Sequence, residues 1–227
     1  GGAFAEHEHR FALWSIAVLI EYLSPAAGFW TPGLGRSQTT DWNVEGDHMA
    51  ERCGLFVIIA LGESVLVTGA TFAKMDWTLP VIAAFTVAFA GSVAMWWIYF
   101  NIGAERGRHQ IAGSKDPGRV ARLGYTYMHM PIIAGIVVAA VSDELILAHP
   151  GGHTDLKTAA TTIGGAAIFL LGNALFKRVV TGRPTLSHWI GLGLLAILAP
   201  LYGFLPPLAF GTLANAILIL VAIWETW

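Results

Sequence analysis

The chain has 227 residues, of which 55% are hydrophobic and only 12% charged, with a net charge of −2. Soluble domains carry about 25% charged residues, so this chain lacks the polar surface of an ordinary soluble enzyme and the charge of a disordered chain. The near-neutral balance also excludes a nucleic-acid-binding surface, because a polyanion needs a basic patch.

Apolar stretches of roughly 20 residues recur, the length that crosses a hydrocarbon core of about 30 Å. In chain order they are Phe11–Trp30, His48–Thr71, Trp77–Asn101, Val120–Leu147, Thr158–Phe176, His188–Gly203 and Pro207–Trp227. The sixth is short, and only the Leu205, Pro206, Pro207 turn separates it from the seventh, so this pair reads either as two full crossings or as a re-entrant hairpin. No stretch alternates with period two, which argues against a membrane barrel. The expectation is an all-α, polytopic transmembrane helical bundle of about seven spans, forming one domain over residues 1–227. The chain begins at Gly1 rather than Met, which points to a fragment or a processed chain.

Alternating sides at each span sorts the 13 Lys and Arg residues unevenly. Arg36, Arg52, Arg106, Arg108, Lys115, Arg119, Arg122, Lys177, Arg178 and Arg183 fall on one side, against Arg10, Lys74 and Lys157 on the other. Cytoplasmic loops carry the Lys/Arg excess. The orientation read from this is an outside N-terminus, a cytoplasmic Glu105–Arg119 loop and a cytoplasmic C-terminus, in the inner (plasma) membrane. Trp30, Trp77, Trp189, Trp224 and Trp227 sit near span ends, where an aromatic belt would lie.

Ionisable residues inside spans are costly and mark functional candidates. The second span holds four: His48, Glu51, Arg52 and Glu63. At about 100° per residue they share one face about 120° wide. Glu63 lies deep in the span, beside Gly62 and Ser64, and needs a partner, water or a proton. Glu21 stands mid-way along the first span, 11 residues after Arg10, the spacing that also separates Arg52 from Glu63. The fourth span adds His129, a candidate proton relay, while Asp143 and Glu144 near its outer end read as solvated interface charges. Asn173 in the fifth span reads as a hydrogen-bonding link between helices. A weak repeat at an offset of 81 residues matches His48-Met49, Gly54, Val57 and Glu63 with His129-Met130, Gly135, Val138 and Glu144.

The run from His48 to Ser64, HMAERCGLFVIIALGES, resembles the signature of the bacterial low temperature requirement protein A family: a His, then Glu-Arg, then an apolar run closing on Gly-Glu-Ser. The resemblance implies a helical, membrane-embedded fold. Members of that family are longer and open with a helix bearing an acidic, Phe-rich motif that does not occur here. It therefore implies that this chain is the C-terminal part of such a protein, with N-terminal helices of the same protein as partners.

The path residues expected for an ion, a proton or a substrate are Glu21, His48, Glu51, Arg52, Glu63 and His129. Three functions fit them. The leading one is a proton-linked transporter or channel for a small ion or solute, in which these side chains converge on one polar cavity. The second is an intramembrane metal-dependent enzyme, with His48 and Glu51 spaced i, i+3 as two ligands. The third is a structural or regulatory membrane protein for low-temperature growth. No His-Glu-x-x-His, cysteine pair or nucleophile elbow occurs, so no catalytic residue is named and enzyme action is the weaker reading. No cofactor is expected, no nucleic acid is a partner, and the lipid bilayer is.

Overall fold

The computed structural model describes residues 7–39, 46–101 and 116–226. Among these residues the regular secondary structure is all helical, apart from one isolated bridge between Thr31 and Gly35. The helices are α1 (His7–Ala26), α2 (Gly46–Phe72), α3 (Leu79–Phe100), a short α4 (Pro117–Val120), α5 (His129–Ala148), α6 (Leu156–Thr181), α7 (Leu186–Leu198) and α8 (Pro207–Trp224). A π-helical stretch, Ala121–Tyr127, joins α4 to α5, and a 3₁₀ stretch, Ala199–Phe204, extends α7.

Six helical segments are long and apolar enough to cross a membrane: His48–Phe72, Leu79–Phe100, Gly118–Ala148, Leu156–Thr181, Leu186–Phe204 and Pro207–Trp224. α1 is the seventh helix of comparable length, with 20 residues. The sixth and seventh sequence spans are therefore separate helices, the first of them lengthened by its 3₁₀ end. Of the expected cytoplasmic charges, Arg106, Arg108 and Lys115 lie outside the described residues, as do most of the Glu105–Arg119 loop and Trp227.

Local chemistry sets the boundaries. Asp155 caps α6 by accepting the Thr158 N–H at 2.8 Å, and Gly182 ends that helix at φ +69°, a conformation open to glycine. The Asp155 carboxyl is held below its ordinary value by its hydrogen bonds from Thr158. Pro80 and Pro207 stand in the first turns of α3 and α8, where a missing N–H costs nothing.

The bundle core is built on α5 and α6. A Cβ on Gly135 would lie 2.4 Å from Phe169 N, one on Gly165 2.6 Å from Ala139 N, and one on Gly172 2.8 Å from Ile132 N. Three levels of these helices thus touch backbone to backbone, which in a membrane replaces the hydrophobic drive with close packing. Around this pair, Val57 of α2, Ile98 of α3, Phe169 of α6 and Phe210 of α8 are fully buried. The outer surface carries large exposed apolar side chains on α1, α2, α3, α7 and α8. A soluble protein does not expose that much contiguous apolar surface. Lipid is the solvent that suits it, and Trp30, Trp77, Trp189 and Trp224 are all exposed at helix ends.

Candidate functional site

Near the C-terminal end of α5, Asp143 borders two small cavities. One, of about 20 Å³, is lined with it by Met95, Ser142, Thr162 and Asn215. The other, of about 10 Å³, is lined with it by Thr68, Phe85 and Ser92. Each has room for about one water-sized guest. The sequence reading placed Asp143 among solvated interface charges. Instead its neighbours come from α2, α3, α6 and α8, chain segments far from it in sequence.

The polar groups around Asp143 have mostly spent their hydrogens. Thr162 donates to Thr158 O at 2.7 Å. Ser142 and Thr162 are 2.6 Å apart, so Ser142 is the donor of that pair. Thr68 donates to Ser64 O at 2.9 Å, and Asn215 Nδ2 donates across to Val87 O at 3.0 Å. What these groups have left is lone pairs, together with the second Asn215 Nδ2 hydrogen and the Ser92 hydroxyl, which makes no hydrogen bond among the described residues. Among the described residues the Asp143 carboxylate has no hydrogen-bond partner. Glu144, its neighbour, accepts from Thr71 at 3.1 Å.

Deeper along α5, on nearly the same face, lies His129. The 14 residues between them correspond to about 21 Å along the helix. His129 is buried, with Nδ1 3.0 Å from Gly124 O and Nε2 2.8 Å from Tyr99 Oη. The neutral ring with hydrogen on Nδ1 satisfies both contacts, because it donates to the carbonyl and accepts from the phenol. Tyr125 stacks on the ring at 5.4 Å, and Phe176 meets it edge-on at 4.8 Å. The π-helical stretch positions Gly124 and Tyr125 for these contacts, and such bulges are frequent at functional sites. It also has a cause in sequence. Pro131 cannot donate back to Tyr127 O, and the Tyr22 hydroxyl of α1 stands 3.5 Å from that carbonyl. Cys53 of α2 donates weakly to Tyr125 O at 3.5 Å. Between His129 and Asp143, fully buried Ile132 and Ile136 close the interior.

A second polar cluster closes the opposite end of α6, α7 and α8. Lys177 pairs with Glu225, whose other oxygen accepts from Ser187 at 2.5 Å. His188 Nδ1 is 3.1 Å from Ser187 Oγ and 3.4 Å from Glu225 Oε1. The side chains of Lys177, Glu225 and His188 are 5%, 11% and 0% exposed. Burial alone would push the Glu225 carboxyl up, but the His188 contact, the Lys177 charge and the Ser187 hydroxyl outweigh it and hold it well below the usual range. His188 Nε2 is buried with no partner among the described residues.

Of the six sequence-predicted path residues, His129 alone lies in the interior. Glu21 is exposed on α1, and His48, Glu51, Arg52 and Glu63 are all exposed on α2. None of the six lines either of the two cavities beside Asp143. The repeat does not carry over to environment either, since His48 is exposed where His129 is buried. Asn173, expected to link helices, donates to Phe169 O within its own helix at 3.1 Å. Asn215 makes the cross-helix bond instead. No group of three or more His, Cys, Asp or Glu side chains that could hold a metal ion occurs among the described residues.

The sequence reading missed Tyr99, the environment of Asp143 and the Lys177–Glu225 cluster. Lys177 and Glu225 are 48 residues apart, and no local pattern marks either.

Comparison with known proteins fits this membrane architecture. No solved structure matches the chain. An uncharacterised protein of Rhizobium meliloti (strain 1021) is 36% identical over 226 residues, covering 99% of this chain and 55% of that protein. The chain thus spans about half the length of the curated relative it matches. The family model described as bacterial low temperature requirement A protein (LtrA) matches residues 1–223. With nearly its whole length inside that model and a bundle of apolar spanning helices, the chain is an integral membrane protein of the bacterial LtrA family.

Proposed function

We propose that the chain forms a membrane-embedded body of a proton-linked transporter or channel for a small ion or solute, with Asp143 as the group that takes up and releases the proton. The carrying observation is the hydrogen balance around Asp143. Its carboxylate faces small cavities whose polar groups have committed most of their hydrogens elsewhere. A partly buried carboxylate with no hydrogen-bond partner among the described residues and few free donors around it calls for a proton or a small cation. Ionisable groups inside bundles mark ion and proton pathways.

His129 and Tyr99 form the next station inward on the same helix face, and the Ile132 and Ile136 layer between them is the part that must open during a cycle. The excess of Lys and Arg on one side supports an orientation in the inner membrane that puts the Lys177–Glu225 cluster of α6, α7 and α8 at the cytoplasmic end.

The test is proton entry into liposomes carrying the protein as its native cell makes it, read with an internal pH dye under an imposed membrane potential. Entry faster than in empty liposomes is expected. A rate equal to that of empty liposomes would contradict transport. A response that requires sodium and leaves internal pH unchanged would replace the proton with a cation.

A further inference from the structure

Glu63 sits on the outward side of α2, about 22 Å along the helix from His48 and about 13 Å before Phe72. Among the described residues its carboxylate has neither a hydrogen bond nor an ion pair. A glutamate side chain reaches only a few ångströms from its helix, so water at either end is out of range. Lipid cannot hydrogen-bond it. Around it Ile59, Leu66 and Val67 are exposed. Gly62 and Gly69, seven residues apart and so on nearly one line, have open space where a Cβ would point. The exposed side of α2, centred on Leu66, therefore carries an unmet acceptor at mid-depth on one flank and, about 100–120° round the helix, a line of two glycines that admits a close helix on the other, the two properties of a helix-packing surface in a bilayer.

We propose that this face of α2 is an intramembrane docking surface. Its occupant is a transmembrane helix from the rest of the full-length LtrA polypeptide, one that brings a cationic or N–H donor side chain to Glu63. Nearly half of the Rhizobium meliloti relative lies outside the stretch this chain matches, which is length enough for several spans. A second copy is the poorer occupant. A parallel two-fold pairing would set Glu63 against its own mate, two carboxylates competing for one proton. The assignment rests on the outer face of α2 and stands apart from the reading of Asp143.

The experiment places a photo-crosslinking amino acid at Leu66, which is 69% exposed, in the protein as its native cell makes it, in native membranes. Leu220 on the outer side of α8 serves as the control position. At Leu66 the expected product is a crosslink to a peptide of the same polypeptide outside residues 1–227, whereas Leu220 gives lipid adducts. Glu63→Gln is expected to retain the crosslink and Glu63→Lys to lower it about tenfold, since like charges repel across a docked face. A Leu66 crosslink to lipid alone, to residues within 1–227 of a second copy, or to another protein overturns the proposal. Because the Leu66 replacement alters only an outward side chain, its crosslink can be read even if a Glu63 variant fails to fold.

Discussion

The Tyr99 hydroxyl stands 2.8 Å from Nε2 of His129 and ties α3 to α5 at the buried level where the π-helical stretch ends. Both ring nitrogens of His129 are thereby used, one by a phenol and one by the Gly124 carbonyl. Removing one partner leaves a buried acceptor unmet, which costs about 1–3 kcal/mol. Tyr99→Phe is therefore expected to lower stability by that amount, measured as thermal unfolding in detergent. Tyr99→Phe combined with His129→Phe should lose less than the two single losses summed, as coupled partners do. Strict additivity would contradict the coupling.

The α5–α6 contact separates two adjacent glycines. A Cβ on Gly165 would lie 2.6 Å from Ala139 N, while one on Gly164 meets nothing within 4 Å. Gly165→Ala is expected to force the helices apart and cost about 1–3 kcal/mol or more. Gly164→Ala should leave stability unchanged or raise it slightly, because alanine favours the helix. Thermal midpoints of the two variants decide the matter, and equal midpoints would refute this packing.

Stability at the Lys177 end should depend on pH. The Glu225 carboxyl is held below its ordinary value of 4.5. A folded-state value that is depressed contributes stability above the unfolded value and loses it as pH falls towards the folded one. The thermal midpoint is expected to hold near neutrality and to decline progressively below about pH 5. Glu225→Gln should remove this part of the decline. Lys177→Ala leaves the carboxylate partly buried without its cation and is expected to cost about 3–5 kcal/mol at neutral pH. A pH profile identical in wild type and Glu225→Gln would contradict the assignment.

The helices were legible because bilayer thickness writes itself into run length. Trp77–Asn101 became Leu79–Phe100, and the proline pair after Leu205 separates two real helices. The arithmetic that put His48, Glu51, Arg52 and Glu63 on one face agrees with their common exposure. Whether that face looks inward or outward is set by neighbours, and no period within α2 encodes it. Asp143 shows the converse. Five residues from the end of α5 it reads as an interfacial charge, but Thr68, Ser92 and Asn215 arrive from three other helices to enclose it. The Lys177–Glu225 pair was hidden for the same reason, since each residue alone looks like an ordinary helix-end charge.

Proton flux in liposomes, compared between wild type and Asp143→Asn, bears most directly on Asp143 as the proton-carrying group. The asparagine keeps the shape and removes the exchangeable carboxyl proton. Flux in Asp143→Asn is expected to fall to the level of empty liposomes, while Ser142→Ala, prepared in parallel, retains it. Wild-type flux in a correctly folded Asp143→Asn protein would contradict the role given to Asp143.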